Sequence, residues 1–458
     1  MTIPSLCSLD LHRNEDYLHR EVERIAALVE TRQRAADGAE VAEDLAALRA
    51  ARATLAEARA RAVEAGLAIP LHDLTVRFEL DALEVELFLV VLAPLLDASL
   101  LVQYKRLRGG FLLDTIDVSL AIQVACDSWE EKMAARRALS HEGRLVSSGL
   151  LVLTQPRGST NVLHQELSVP SRLVHHVMGD ATLSETLVPF CEVVRESVAL
   201  DRIVLPRRIR DDVMAVLSPG KDFATSLSEW GYDAFLPYGR GVTLLLTGAP
   251  GTGKTLFATA IATHLGRPLL RILSSKLQET TGGIEPLLAD LRLEASVRGA
   301  IVFFDDCEGL FAERGARLSA LLAFVERFEG VLLMATNQPG RLDAALDRRI
   351  LLRVELPIPG PELREQIWEM FLPPGLPVAE DVDVPALANL YDFAGGTIKN
   401  AVMVALNRAL AQDPKAPRVT MALLREAADA QLRASLEDYA VATQARLTLE
   451  DVVLPEDE

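Results

Sequence analysis

Residues Gly248–Thr255 read Gly-Ala-Pro-Gly-Thr-Gly-Lys-Thr and fit the pattern G-x-x-x-x-G-K-[ST] in full. Its glycines let the backbone wrap around an anion and point N–H groups at it. In this pattern Lys254 reaches the β- and γ-phosphates of a nucleotide, and the hydroxyl of Thr255 ligates Mg²⁺. The sequence therefore predicts a site for ATP and Mg²⁺. The predicted binding residues are Gly248, Ala249, Pro250, Gly251, Thr252, Gly253, Lys254, Thr255 and Leu256.

A second group of candidate residues follows the apolar run Ile301–Phe304. A buried strand that ends in acid places carboxylates at the carboxyl edge of a sheet, beside the phosphate loop. Asp305 is the predicted magnesium-side carboxylate, acting through water, and Asp306 is predicted to polarise the attacking water. Glu308 lies two residues further on, and on the same side as Asp306 if the chain stays extended. It is therefore a further candidate for catalysis.

Polar and basic residues follow the next apolar run, Val331–Ala335. Asn337 is predicted to lie between the phosphate-loop strand and the acidic strand, where it would hold the attacking water. Arg348 and Arg349 precede another β-rich run. They are either ordinary surface charge or groups that reach the γ-phosphate of a neighbouring subunit, since guanidinium groups stabilise the spreading charge of a transferring phosphoryl group. Of the two, Arg349 is the preferred candidate, and its replacement is expected to lower turnover while isolated subunits still bind nucleotide.

These residues need a framework that holds strand ends together, and the middle of the chain predicts one. Short β-rich apolar runs alternate there with helical stretches, which predicts an α/β fold with a five-stranded parallel sheet and helices on its faces. The helical pattern Leu256–Leu265 follows the phosphate loop directly and adds its positive end. The predicted strands are Val242–Thr247, Leu269–Leu273, Ile301–Phe304, Val331–Ala335 and Ile350–Leu356.

Composition and periodicity divide the 458 residues into five segments. The predicted segments are a helical hairpin arm (1–67), a mostly helical domain (68–195), a large α/β subdomain (196–358), a small helical lid (359–436) and an acidic tail (437–458). The hairpin is interpreted either as a structure packed on its own domain or as an arm for oligomerisation or partner binding.

Charge and cysteine usage exclude several classes of protein. The net charge of −18 argues against a broad electrostatic contact with nucleic acid. The four cysteines are scattered without a C-x-x-C pair, which favours buried reduced thiols and a cytoplasmic protein. The most apolar run, Leu87–Leu96, is too short to cross a bilayer, and no signal peptide is evident, so no membrane association is expected.

Taken in order, these motifs resemble those of AAA+ ATPases over roughly Leu200–Arg433. The matching elements are Walker A (Gly248–Thr255), Walker B (Ile301–Asp306), sensor 1 (Asn337), the arginines Arg348 and Arg349, and a lid containing Gly395–Asn400. The resemblance implies a homo-hexameric ring that acts on a protein client, with ATP at the subunit interfaces and the arginines supplied in trans. It also places Gly395–Lys399 near the nucleotide, with Lys399 as a weak substitute for the missing sensor 2 arginine.

A narrower resemblance rests on Trp230-Gly-Tyr232 and Gly239-Arg-Gly241, which precede the phosphate loop. This stretch is similar to that of a bacterial AAA group with an N-terminal helical or winged-helix-like region, here about Pro70–Cys191. Some members are encoded with extracellular contractile injection systems, the phage-tail-like particles. The resemblance implies a role in assembling or remodelling such a particle, with a particle component as the client.

The chain departs from the AAA+ pattern in three places. Asp306 stands where Walker B usually carries Glu, which would slow hydrolysis. Ser275–Gly283 replaces the aromatic–apolar–Gly pore loop, with Leu277 as the nearest apolar residue. The segment after Walker B, Phe311–Arg317, is short. The last two departures argue against threading of a polypeptide through a central pore.

Three functions are therefore distinguished. The first is a ring ATPase that remodels or assembles a protein complex, and the second is a nucleotide-gated scaffold with negligible hydrolysis. The third, a nucleic-acid motor or loader, is disfavoured by the acidic chain. A membrane-bound AAA protease is set aside, because His141-Glu142 is followed by Gly-Arg-Leu and no H-E-x-x-H motif occurs.

Overall fold

A computed structural model describes residues 11–108, 115–156, 161–180, 182–217, 230–231, 241–279, 283–312 and 315–434. The chain divides into two compact units, Met1–Leu187 and Val188–Glu458. The division falls earlier than the boundary expected at 195/196, because the strand Cys191–Val194 pairs with the sheet of the second unit. The predicted acidic tail and Cys7 lie outside the described residues, as do Tyr232, Gly239 and Arg240.

The first unit is mostly helical and carries one small antiparallel sheet. Its strands are β1 (Ile116–Asp117), β2 (Val152–Thr154) and β3 (Glu166–Ser168), in the order β1-β3-β2. Its helices are Asn14–Ala36, Ala42–Glu64, Pro70–Arg77, Ala82–Leu96, Ser99–Leu107, Val118–Ala125, Trp129–Ala138, Arg144–Ser147 and Ser171–Val177, with a 3₁₀ turn at Val162–His164.

The helical hairpin is part of the core of the first unit. Gly38, with φ of 89°, follows the end of its first helix, as the Asp37–Gly38 interruption predicts. The first helix, Asn14–Ala36, packs on its partner and also on Ala82–Leu96, Ser99–Leu107 and Val118–Ala125. This packing supports the interpretation of the hairpin as a structure packed on its own domain.

A buried ion cluster ties the hairpin to the apolar helix Ala82–Leu96. The guanidinium of Arg24 donates from Nε to Glu21 Oε2 at 2.8 Å, and from Nη1 and Nη2 to the two oxygens of Glu86, each at 2.8 Å. The Arg24, Glu21 and Glu86 side chains are 3%, 5% and 3% exposed. A bidentate pair satisfies both carboxylate oxygens of Glu86, which offsets the cost of burying the charges.

We expect Arg24→Met to destabilise the protein by about 3–5 kcal/mol, because it leaves two buried carboxylates without their cation. Chemical denaturation followed by circular dichroism measures the loss. The control is Arg13→Met, since the Arg13–Asp16 pair is 73% and 37% exposed and such pairs contribute less than about 1 kcal/mol. Equal effects of the two substitutions would contradict this assignment. Adding Glu21→Gln and Glu86→Gln to Arg24→Met should recover part of the loss.

The second unit is built on a mixed sheet that has six strands among the described residues. The strands are β4 (Cys191–Val194), β5 (Val242–Thr247), β6 (Leu269–Leu273), β7 (Ile301–Asp305), β8 (Val331–Thr336) and β9 (Leu352–Glu355). Five parallel strands have the order β6-β7-β8-β5-β9, and β4 pairs antiparallel with β6 at the edge. The predicted five-stranded parallel sheet was therefore incomplete, because the short, partly exposed β4 gives no clear apolar signal.

Helices cover both faces of this sheet, and a helical subdomain follows it. The central strands β7 and β8 are buried along their whole length, as expected of parallel strands covered on both faces. The C-terminal subdomain has its own core around the fully buried Trp368. The helices are Arg207–Leu217, Lys254–His264, Ser274–Gln278, Glu285–Arg298, Glu308–Ala312, Ala316–Arg327, Ala344–Asp347, Pro361–Phe371, Val384–Leu390, Gly395–Gln412 and residues 421–434.

The apolar run near residue 90 forms a buried helix, Ala82–Leu96, with Pro94 in its last turn. Within the described ranges, no helix is both long enough and apolar enough to cross a membrane. Cys126, Cys191 and Cys307 are buried free thiols, as the scattered cysteine pattern predicts.

Candidate nucleotide-binding site

The phosphate loop links β5 to the helix Lys254–His264, and its backbone requires glycine. Gly248, Gly251 and Gly253 have φ values of 148°, 80° and 95°, which side chains disfavour. A Cβ at position 248 would also lie 2.3 Å from the carbonyl oxygen of Leu356. These glycines therefore form a cradle of the kind that wraps a phosphate chain at the positive end of a helix.

Lys254 occupies the centre of the site. Its buried ammonium group donates to the carbonyl oxygens of Gly248 (2.9 Å) and Ala249 (3.0 Å), and to Asn337 Oδ1 (2.5 Å). Burial lowers the pKa of Lys254, while the charges of Asp306, Asp305 and Glu308 oppose that shift. The carboxylates thus favour the charged ammonium that a phosphate site needs.

Thr255 and Asp305, the two residues predicted on the magnesium side, lie in contact, and Asp305 has one additional partner. The Thr255 hydroxyl donates to Asp305 Oδ2 at 3.0 Å, so the end of β7 faces the start of the phosphate-loop helix. The same carboxylate accepts from Arg271 Nε on β6 at 3.1 Å and forms an ion pair with that guanidinium, whose Nη2 lies 3.0 Å from Oδ2. Sequence reasoning missed Arg271, although a single arginine inside the apolar run Leu269–Leu273 was a signal for it.

Asp306 and Asn337 also come together. Asn337 Nδ2 donates to Asp306 Oδ1 at 3.2 Å, so the amide of Asn337 bridges Asp306 and Lys254. Asp306 has φ of 50°, a left-handed conformation that Asp and Asn tolerate better than most residues. Partial burial, and then the charges of Asp305 and Glu308, raise the pKa of Asp306. This group is therefore a weaker acid than an ordinary aspartate, and a better proton acceptor.

Glu308 reaches the same region by a different path from the one predicted. The chain does not stay extended after β7, because Asp306 turns it and Glu308 begins the short helix Glu308–Ala312. The condition of an extended chain is therefore not met. Glu308 nevertheless lines a cavity of about 360 Å³ together with Asp305, Asp306 and Arg271.

A larger cavity of about 830 Å³ lies over the phosphate loop. Its size is within the range of small-molecule sites. Lys254, Thr255, Leu256, Asp305, Asp306 and Asn337 line it. Apolar residues that carry no sequence motif complete it, and sequence reasoning did not identify them. They include Ile203, Leu205 and Pro206, which precede the helix Arg207–Leu217, and Ile367, Met370 and Phe371 in the lid.

The lid contacts the phosphate loop through its main chain. The Gly396 N–H donates to the Gly251 carbonyl at 2.9 Å. Lys399 lines the large cavity from the same helix, Gly395–Gln412. The region around Gly395–Lys399 thus lies beside the phosphate loop, where the AAA+ resemblance places it.

The two adjacent arginines do not line this cavity and differ in their surroundings. Arg349 donates to Glu326 Oε2 at 2.8 Å and to the Ala345 carbonyl at 2.7 Å. Arg348 is exposed, and within the described part of the chain no hydrogen bond or ion pair holds it. Neither arginine is thus positioned to serve the phosphate site of its own chain.

Leu277, the apolar residue nearest to the expected pore-loop position, is buried. Leu277 lies in the helix Ser274–Gln278 and is 2% exposed. Residues 280–282 of the same stretch lie outside the described ranges. The burial of Leu277 removes it as a candidate for contacting a threaded polypeptide.

The residues present fit a nucleotide with Mg²⁺. The glycine cradle, the buried Lys254 and the cavity suit a phosphate chain, and Thr255 and Asp305 supply oxygen donors of the type that Mg²⁺ prefers. Among the described residues, no group of three or more His, Cys, Asp or Glu side chains is arranged to hold a metal ion. Mg²⁺ bound with phosphates usually takes one or two carboxylates from the protein and fills its other positions with phosphate oxygens and water.

Two family models match the chain. The model of the winged helix domain, variant, matches residues 6–191. The model of the ATPase family associated with various cellular activities (AAA) matches residues 244–358. The chain thus contains an AAA ATPase domain preceded by a winged-helix domain. The winged-helix match begins well before the predicted start near Pro70 and includes the helical hairpin.

Curated relatives match part of the chain. ATP-dependent zinc metalloprotease FTSH 11 of Arabidopsis thaliana is 36% identical over 182 residues, covering 36% of this chain and 22% of that protein. The proteasome-activating nucleotidase of Methanothermobacter thermautotrophicus is 31% identical over 205 residues (41% and 50%). Katanin p60 ATPase-containing subunit A1 of Strongylocentrotus purpuratus is 29% identical over 194 residues (36% and 37%). The chain thus spans between 22% and 50% of the lengths of these relatives.

Two adjacent glycines, Gly395 and Gly396, allow the contact between the lid and the phosphate loop to be tested with a matched control. A Cβ on Gly396 would lie 3.1 Å from Gly251 Cα, whereas one on Gly395 would meet nothing closer than 3.8 Å. We expect Gly396→Ala to weaken ATP binding roughly fivefold by overpacking this contact, and Gly395→Ala to leave it nearly unchanged. Titration with a fluorescent ATP analogue measures both. Equal affinities of the two variants would refute this role for the contact.

The raised pKa of Asp306 predicts how the stability of the protein depends on pH. A folded-state pKa above the unfolded value means that ionisation costs stability, so the cost appears as pH rises through the folded pKa. Asn is neutral and suits the φ of 50°. We therefore expect Asp306→Asn to raise the thermal unfolding midpoint by about 2 °C at neutral pH.

This gain should shrink in acid, because the wild-type carboxyl is then protonated too. Asp306→Ala serves as the control, since it removes the charge but places an unsuitable residue at positive φ. A gain that is independent of pH would show that the charge of Asp306 is not its cause.

Proposed function

We propose that this protein is a Mg²⁺-dependent ATP hydrolase that forms a homo-hexameric ring and remodels or assembles a protein complex. The observation that carries the proposal is the convergence of Lys254, Asn337 and Asp306 at one cavity above the phosphate loop. This convergence joins a phosphate-binding cation to a carboxylate and an amide that suit an attacking water. The AAA match over residues 244–358 supports the same class of reaction.

Each residue has a distinct task in this proposal. Lys254 and the loop N–H groups bind the β- and γ-phosphates, and Thr255 and Asp305 hold Mg²⁺, which neutralises phosphate charge when bound. Asp306 accepts a proton from the attacking water, and Asn337 orients that water. Because Asp306 is one methylene shorter than the usual Glu, we expect turnover to be slow. Glu308, which lines the adjoining cavity, is the second carboxylate available for this role.

The ring requires an arginine from a neighbouring subunit, and the surroundings favour Arg348. Arg349 is already engaged by Glu326 and Ala345 within its own chain. Arg348 is exposed and adjacent to it. An exposed guanidinium reaches a neighbour's γ-phosphate without breaking an existing pair, so we assign the finger to Arg348 instead of Arg349, the residue preferred on sequence, and a structural role to Arg349.

We propose a protein client that is remodelled without threading, because Leu277 is buried and no other apolar pore residue was predicted. A component of a contractile injection system is the proposed client, and the cytoplasm the proposed location. Both of these finer proposals rest on sequence patterns alone. The net charge of −18 disfavours nucleic acid as the client.

Steady-state phosphate release with ATP and Mg²⁺, measured over a range of protein concentrations, tests the proposal. We expect turnover per subunit to rise with concentration, since the finger comes from a neighbour. Lys254→Ala should abolish turnover. Arg348→Ala should lower it about a hundredfold or more while monomer nucleotide binding is kept, and Arg349→Ala should lower it much less. Turnover that is independent of concentration and of Arg348 would contradict the ring.

A nucleotide-gated scaffold is the second function, and the substitution of Asp306 for Glu favours it. It predicts ATP-dependent oligomers without phosphate release. Measurable turnover that is lost in Asp306→Asn, at unchanged nucleotide affinity, would exclude the scaffold.

A further inference from the structure

Arg271 is a charged residue in the middle of an otherwise apolar strand. It lies on β6, directly opposite Glu192 in the antiparallel pairing with β4. On its other side β6 pairs with β7, which ends at Asp305. Arg271 is thus placed between the edge strand and the strand that carries the metal-side carboxylate.

The guanidinium of Arg271 contacts a carboxylate on each side. It donates to Asp305 Oδ2 from Nε at 3.1 Å and to Glu192 Oε1 from Nη1 at 3.1 Å, and its Nη2 lies 3.0 Å from Asp305 Oδ2 in the ion pair. Asp305 Oδ2 also accepts the Thr255 hydroxyl at 3.0 Å, whereas Asp305 Oδ1 is 3.3 Å from that hydroxyl. Arg271 therefore fixes the orientation of Asp305 and leaves Oδ1 the less engaged oxygen.

The position of Arg271 also matters for charge. It lines both the large cavity over the phosphate loop and the smaller one shared by Asp306 and Glu308. A cation beside Asp305 reduces the negative potential that attracts a divalent metal, and it attracts the phosphates of a nucleotide. The charge of Arg271 therefore weakens the binding of a divalent metal and strengthens the binding of a nucleotide.

On the basis of the proposed function, we propose that Arg271 is a positioning residue that sets how strongly nucleotide binding depends on Mg²⁺. Its charge supports binding of the nucleotide without metal and weakens the additional gain that the metal brings. Glu192 tunes this effect, because it shares the guanidinium with Asp305.

The measured quantity is the ratio of the dissociation constant of a fluorescent ATP analogue in EDTA to that in saturating Mg²⁺. We expect Arg271→Met to raise this ratio about tenfold, by weakening metal-free binding and strengthening the metal's contribution. Arg271→Lys keeps the charge and should restore most of the wild-type ratio. Glu192→Gln removes the competing carboxylate and should lower the ratio about twofold.

Arg353→Met is the matched control, because Arg353 is a strand arginine paired with Asp347 at the opposite edge of the same sheet. It should leave the ratio unchanged. A merely structural role of Arg271 would lower both affinities alike, so an unchanged ratio in Arg271→Met would overturn the inference while the proposed function stands. If Arg271→Met does not fold, an unchanged ratio in Glu192→Gln overturns the inference in the same way. If the wild type shows no Mg²⁺-dependent binding, the inference and the proposed function fail together.

Discussion

The buried ammonium group of Lys254 lies at the carboxyl edge of the sheet, where three oxygen atoms from the phosphate loop and Asn337 accept its hydrogen bonds. Burying a charge is costly unless it is paired and hydrogen-bonded. The nearby carboxylates of Asp306, Asp305 and Glu308 offset that cost and oppose the lowering of the Lys254 pKa. The buried charge of Lys254 therefore requires the polar groups at these strand ends to lie around it. A phosphate chain bound here would replace weak neutral partners with fully charged ones, which gives the site a strong preference for anions.

Two unfavourable backbone conformations hold the groups around Lys254. Gly248 turns the chain out of β5 where no Cβ fits, and Asp306 turns it out of β7 at positive φ. Such strain persists where the surrounding structure over-determines it, and it is common at functional sites. Here the parallel strands β5, β7 and β8 supply that rigidity, because they are paired to one another and covered on both faces. The turn at Asp306 places this residue at the cavity, the turn at Gly248 leads into the phosphate loop, and the strands fix the distance between the two turns.

The positive charges around the site differ in how they are held. Lys254 is buried and bound to the loop, Arg271 is shared by two carboxylates, Arg349 is engaged by Glu326, and Arg348 is exposed. A flexible ammonium suits phosphates that arrive and leave, whereas a planar guanidinium suits a fixed carboxylate. The partners of each cation thus distinguish the two that are held by carboxylates, Arg271 and Arg349, from Lys254 and Arg348. Residue type alone does not make this distinction.

The sequence determined the phosphate loop, four of the five parallel strands to within a residue, and the residues at their carboxyl ends, because glycine patterns and apolar periodicity are local properties. Tertiary structure decided what depends on contacts between distant segments. It added β4, placed Arg271 against Asp305, and brought Gly396 onto the phosphate loop. It also buried Leu277 and turned the chain before Glu308, which local pattern did not reveal. A hydrogen bond between residues 34 positions apart has no periodicity to reveal it, so only the packed strands decide that Arg271 meets Asp305.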